Sequence, residues 1–168
     1  MKTKSKKILA LALALFFMVP LVINAQTDKA NFSGNWALNE SRSSTGGNQG
    51  NQRMAAASST MTVAQEENKL SVTRAVGGRD GGSTPNTTTY SLDGKETVNS
   101  SQRGDSKTVA VWASDGKSLT LTTTRSFNGM DMKTVEVWTI DASNALSIKS
   151  DATTPQGNRS TTLIYDKK

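Results

Sequence analysis

The chain has 168 residues, with twenty Lys and Arg against fourteen Asp and Glu, and contains neither cysteine nor histidine. Without cysteine, an exported fold has no disulfide and must be held by its core. Without histidine, Ser-His and Cys-His nucleophilic pairs are excluded, and the commonest transition-metal ligand is missing.

The N-terminus reads as a targeting segment. Lys2, Lys4, Lys6 and Lys7 precede Ile8 to Ile23, an almost wholly apolar run of sixteen residues broken only by Pro20. Ile23-Asn24-Ala25 then offers the aliphatic and small residues that a signal peptidase reads, so a signal peptide over residues 1–25 is expected. Its apolar run falls short of the roughly 20 residues that span a bilayer, so no stable membrane insertion is expected after cleavage. No cysteine follows that could carry a lipid anchor. The expected location is periplasmic or extracellular. Residues 26–168 then read as one domain. They carry sixteen basic against fourteen acidic residues, with no basic stripe among aromatics, so nucleic acid is not an expected partner.

Within that domain, Asn31 to Glu40 puts Phe32, Gly34 and Trp36 in one short run, just before a polar stretch. Glu40 to Ser59 is small and polar without an apolar period and reads as a long loop, with a candidate helical turn at Met54 to Ala57. From Thr60 onward apolar and polar residues alternate, first in "TMTVAQ" and "KLSVTRAV". After the glycine-rich "GGRDGGSTPN" come "TTTYSL", "ETVNSS", "KTVAVWA", "SLTLTTTRSF", "MDMKTVEVWTI", "LSIKS" and "STTLIYD". Asp93-Gly94, Asp115-Gly116 and Asn128-Gly129 fall between these runs, which is the pattern of tight hairpins. Thr and Val enrichment agrees with strands. The expected fold is all-β: an antiparallel up-and-down meander of about eight to ten strands. It would hide its edges by closing into a barrel or, alternatively, by forming a two-sheet sandwich.

Taking the Asp115-Gly116 and Asn128-Gly129 loops as two-residue turns sets the register. Trp112 then faces Leu119, Leu119 faces Trp138, Leu121 faces Glu136, Arg125 faces Met132 and Phe127 faces Met130. One face carries Trp112, Leu119 and Trp138 side by side, and its larger apolar area marks it as the interior. The opposite face carries threonines together with Val109, Val111, Val135 and Val137, which a sandwich or a dimer could bury.

Phe32 with Gly34-Asn35-Trp36 resembles the G-x-W signature that opens lipocalins and related calycin barrels. The resemblance implies that Trp36 caps one end of the barrel and that a long loop folds over the other. It also implies that a basic residue near the end of the chain packs across the tryptophan, and Lys167 is that candidate. The whole exported chain is similar to small exported bacterial proteins with lipocalin-like domains, through "FSGNW-L", "LDGKE", "ASDGKSLTLTTTRSFNG", "TVEVWTI" and "TTLIYDKK". That similarity implies fold and export and no defined activity.

Two arginines share parity with interior residues: Arg74 with Leu70 and Val72, and Arg125 with Leu119 and Leu121. They are candidates to hold the carboxylate or phosphate head of an otherwise apolar ligand. Otherwise they lie at the rim and reach into water, or pair with the inward Glu136. Trp112, Trp138, Leu119, Leu121, Met132 and Tyr90 either line a cavity or fill the core, since barrels of this size do both. The functional expectation is a non-enzymatic exported binding protein for a small apolar or amphipathic ligand. The alternative is an envelope or host-facing interaction module with a filled core. No metal, cofactor or particular protein partner is indicated.

Overall fold

Each alternating segment has one apolar face to hide, and the tight turns offer each strand its successor as a partner. The computed structural model describes residues 28–45, 58–77, 83–101, 104–127, 129–155 and 157–168. Its strands are β1 (Gly34–Leu38), β2 (Ser44–Thr45), β3 (Thr60–Gln65), β4 (Lys69–Gly77), β5 (Ser83–Ser91) and β6 (Glu96–Ser101). They continue as β7 (Gly104–Trp112), β8 (Ser118–Phe127), β9 (Met130–Ile140), β10 (Leu146–Thr154) and β11 (Gly157–Lys167). No helix occurs among the described residues. The leader, the Met54 to Ala57 turn and the glycine-rich stretch after Gly77 lie outside them.

The strands form one antiparallel sheet in the order β5-β4-β3-β1-β11-β10-β9-β8-β7-β6, with the short β2 beside β11. β1 pairs with β11, setting Trp36 opposite Lys167 and Leu38 opposite Tyr165. The sheet's two outer strands, β5 and β6, are consecutive in the chain and meet again. Side chains hold this seam. The Asn99 amide donates to the Thr89 carbonyl at 3.0 Å, and the Ser91 N–H donates to Thr97 Oγ1 at 2.8 Å. Ten strands thus make a nearly closed up-and-down barrel, which hides the edges that an open sheet would expose.

The expected register is present: Trp112 faces Leu119, Leu119 faces Trp138 and Phe127 faces Met130. The β7–β8 turn is nevertheless not a two-residue loop. The Ala113 N–H donates to the Ser118 carbonyl and the Gly116 N–H to the Ala113 carbonyl, both at 2.9 Å. Four residues, 114–117, therefore form the connection. A type I′ loop needs positive φ at both central residues. Here Gly116 has it (φ 69°) and Asp115 does not. The pairing is unchanged because both loops are centred between Asp115 and Gly116.

The inward face buries Trp36, Met61, Leu70, Val72, Leu119, Leu121, Trp138, Leu146, Ile148 and Tyr165. Each large apolar side chain so buried stabilises the fold by about 1.5–3 kcal/mol. The outward valines differ among themselves. Val109, Val135 and Val137 are half-buried, whereas Val111 is 55% exposed.

Candidate functional site

One end of the barrel is solid. The extended segment before β1 turns under it and is tied down by Gln65, whose side chain accepts from the Phe32 N–H and donates to the Ala30 carbonyl, each at 3.0 Å. Phe32 is driven up between the indoles. It stacks on Trp112 at 5.7 Å between centroids and meets Trp138 edge-on at 5.8 Å. The Trp36 indole donates to the Phe32 carbonyl at 2.9 Å, and Lys167 Nζ lies 5.6 Å from the Trp36 ring. Gly34 lies under the same lysine: a Cβ there would come within 3.1 Å of Lys167 Cε. Lys29 covers the Trp112 ring at 5.6 Å, and the buried Trp112 N–H has no hydrogen-bond partner among the described residues.

The other half opens to water along β4, β8, β9 and β10, whereas on β7 Thr108, level with Thr123, stays buried. On β9, Trp138 is 0% exposed, while the Glu136 side chain, one inward step further, is 23% exposed. On β4 the same step goes from buried Val72 to Arg74, with a side chain 30% exposed. Leu121 to Thr123 on β8 and Ile148 to Ser150 on β10 pass from buried to half-buried in the same way. Inward side chains in mid-strand meet water only if the interior is unfilled at that level. Trp138, Leu121, Ile148 and Val72 therefore form a floor, with solvent-accessible space above it.

Charge gathers on that floor. Arg74 Nη2 lies 4.0 Å from Glu136 Oε2, and its guanidinium sits 5.8 Å from the Trp138 ring centroid. The Trp138 indole donates to the same Glu136 oxygen at 3.0 Å. Glu136 is thus held from two sides, and Arg74 retains donors in its fixed fork. Two phenols complete the group. Burial pushes the Tyr90 hydroxyl above its ordinary pKa, with the Glu136 charge adding to the rise and Arg74 and Thr88 opposing it. Burial raises Tyr165 likewise, and its hydroxyl donates to the Ser58 carbonyl at 3.3 Å. Both remain protonated near neutral pH and can donate or accept.

The structure brings together three of the residues singled out in the sequence: Arg74, Tyr90 and Trp138. Leu121 belongs to the floor, whereas Trp112 and Leu119 lie in the closed end beside Phe32. Arg125 and Met132 face each other further along the β8–β9 hairpin. There they border a groove of about 630 Å³ that also takes in Lys107, Lys133, Asp105 and Asp131. Tyr165 was not expected at the site. No facing was assigned to the last segment from sequence, and nothing local brings β11 near β4. Glu136 was readable as inward and as a partner for arginine, and the indole donor that fixes it was not. Among the described residues no group of three or more acidic side chains stands ready to hold a metal ion.

No protein-family model matches the chain, and no curated protein matches it either. Its fold is similar to that of zebrafish ileal bile acid-binding protein, solved in complex with cholic acid. The TM-score is 0.54 and the sequence identity 18%, over 82% of this chain and 98% of that one. At that identity the likeness is one of architecture: this chain folds as a calycin-type barrel.

Proposed function

We propose that this chain is an exported, non-enzymatic binding protein for a small amphipathic molecule. The ligand occupies the open half of the barrel, and its polar end meets Arg74 and Glu136. The observation that carries this reading is the step from a fully buried Trp138 to a solvent-accessible Glu136 on one strand. It marks a space with an apolar floor and a charged pair fixed at its edge. A ligand acceptor takes the guanidinium donors that a 4.0 Å contact leaves unused, and a ligand hydroxyl donates to Glu136. Tyr90 and Tyr165 supply neutral hydroxyls beside them. The similar zebrafish barrel was solved with cholic acid, a molecule of this amphipathic kind. A chain without histidine or cysteine lacks the usual nucleophile-activating pairs, in keeping with binding instead of turnover. The apolar run before Ala25 supports export to the periplasm or beyond.

The test is titration with a panel of bile acids, fatty acids and neutral lipids, read by tryptophan fluorescence and native mass spectrometry. Binding is expected, and Arg74→Gln is expected to weaken it about tenfold, the worth of one charge-assisted hydrogen bond. If no member binds at millimolar concentration, a surface interaction module becomes the better reading.

A further inference from the structure

The outer wall over β7–β10 carries an apolar patch that the binding site does not use. Its outward residues fall into rows set by the ladder. One row runs Val111, Thr120, Val137, Lys149, and the next runs Glu96, Val109, Thr122, Val135, Asp151. A third row, beyond the second, holds Lys107, Thr124, Lys133 and Thr153. Val111 is 55% exposed, and the Lys149 and Asp151 side chains are 59% and 56% exposed. Four valines and two threonines thus form an unpartnered face with charges arranged around it.

From this arrangement we infer that the face pairs with its own copy, about a two-fold axis lying in the interface and perpendicular to the strands. Such an axis, passing between the first two rows, lays each strand over its own counterpart with the rows exchanged. Val111 then covers Val109 of the second copy, Thr120 covers Thr122, and Val137 covers Val135. Lys149 covers Asp151 of the second copy, and Asp151 covers Lys149. The intrachain pair, 3.7 Å apart, becomes part of a ring of four alternating charges. Lys107 and Lys133 fall over the neutral ends of β7 and β9, so no lysine meets a lysine. The other simple choice, an axis along β8, stacks Asp151 on Glu96 and Lys107 on Lys133. Like charges disfavour that arrangement, so the pattern selects one orientation. Face-to-face sheets lie about 30° from aligned, an offset the long Lys149 side chain can span. The interface is isologous, as a closed dimer requires. Four strands at about 4.8 Å and four rows at about 6.8 Å cover on the order of 500 Å² per copy. The pair then buries about 1,000 Å², the lower bound of a specific interface, so the dimer is weak and concentration-dependent.

Sedimentation velocity of the protein purified from a secreting host tests this, over roughly 5 μM to 1 mM. A monomer–dimer equilibrium in that range is expected. Val111→Lys should weaken it at least tenfold. Lys149→Asp and Asp151→Lys should each do the same, by facing like charges across the axis. The double exchange, Lys149→Asp with Asp151→Lys, should restore it, because the ring alternates again. All three positions are on the surface, and unchanged far-UV circular dichroism would show that the barrel is intact. A monomer at 1 mM, a dimer indifferent to Val111→Lys, or failure of the double exchange to restore pairing would each overturn the proposal. So would a monomer that binds lipid vesicles through Val111.

Discussion

Phe32→Ala tests the plug that closes one end of the barrel. The side chain is fully buried and touches both Trp112 and Trp138. Its backbone bonds to Gln65 and Trp36 survive truncation, so the loss is confined to the ring. Removing it leaves a void on the order of 100 Å³, costing about 2.4 kcal/mol at roughly 24 cal/mol per Å³. The lost transfer energy of the ring raises the total to about 4 kcal/mol, inside the usual range of about 3–5 for Phe→Ala. With a urea m-value near 2 kcal/mol/M, the unfolding midpoint should fall by about 2 M. The void is lined by indoles and aliphatic groups, so it should stay dry and admit benzene. Benzene at saturation should then add more stability to the variant than to the wild type. A midpoint shift below about 0.5 M at unchanged m would refute the reasoning, because Phe32 would then lie outside the cooperative core.

The β5–β6 seam rests on the Asn99 side chain, so Asn99→Ala should cost about 1–3 kcal/mol by leaving the Thr89 carbonyl unpaired. Hydrogen exchange should accelerate in β5 and β6 alone, and uniform acceleration would contradict a local seam. A double-mutant cycle of Arg74→Gln and Glu136→Gln should show a coupling of about 1 kcal/mol in stability, modest because both side chains are partly solvated. Strict additivity would remove that pair from the electrostatics of the site. The Asp141 carboxyl is held well below the ordinary carboxylate range, first by the Ser143 hydroxyl and then by the Ala145 N–H, with Arg42 adding to both. A depressed folded-state pKa means that its contribution is complete above the unfolded value of about 3.9 and is lost as pH falls below it. Urea stability measured from neutral pH down to acid should therefore decline less steeply below pH ~4 in Asp141→Asn than in the wild type.

Much of the fold is written locally. The inward set of β7, β8 and β9 follows from period-two alternation, and the partners across each hairpin follow from where Asp-Gly and Asn-Gly stand. That is why Trp112, Leu119 and Trp138 were expected side by side even though the β7–β8 loop has four residues instead of two. The same parity made Arg74 and Glu136 inward. It could not make them neighbours, because β4 and β9 are separated in the sheet by β3, β1, β11 and β10. Their meeting at 4.0 Å is a contact across the barrel.

Alternation and turn residues by themselves determined an all-β meander, the register of β7, β8 and β9, and the inward side of those strands and of β4, because these depend on residues close together in the chain. Only the tertiary structure decided how deep water reaches inside. That depth depends on Phe32, which belongs to no strand yet fills the space between two indoles supplied by β7 and β9. Closure was decided there too, by an Asn99 side chain standing in for a missing ladder. No periodic pattern records such contacts, since each joins groups that only the rolling of the whole sheet brings within reach.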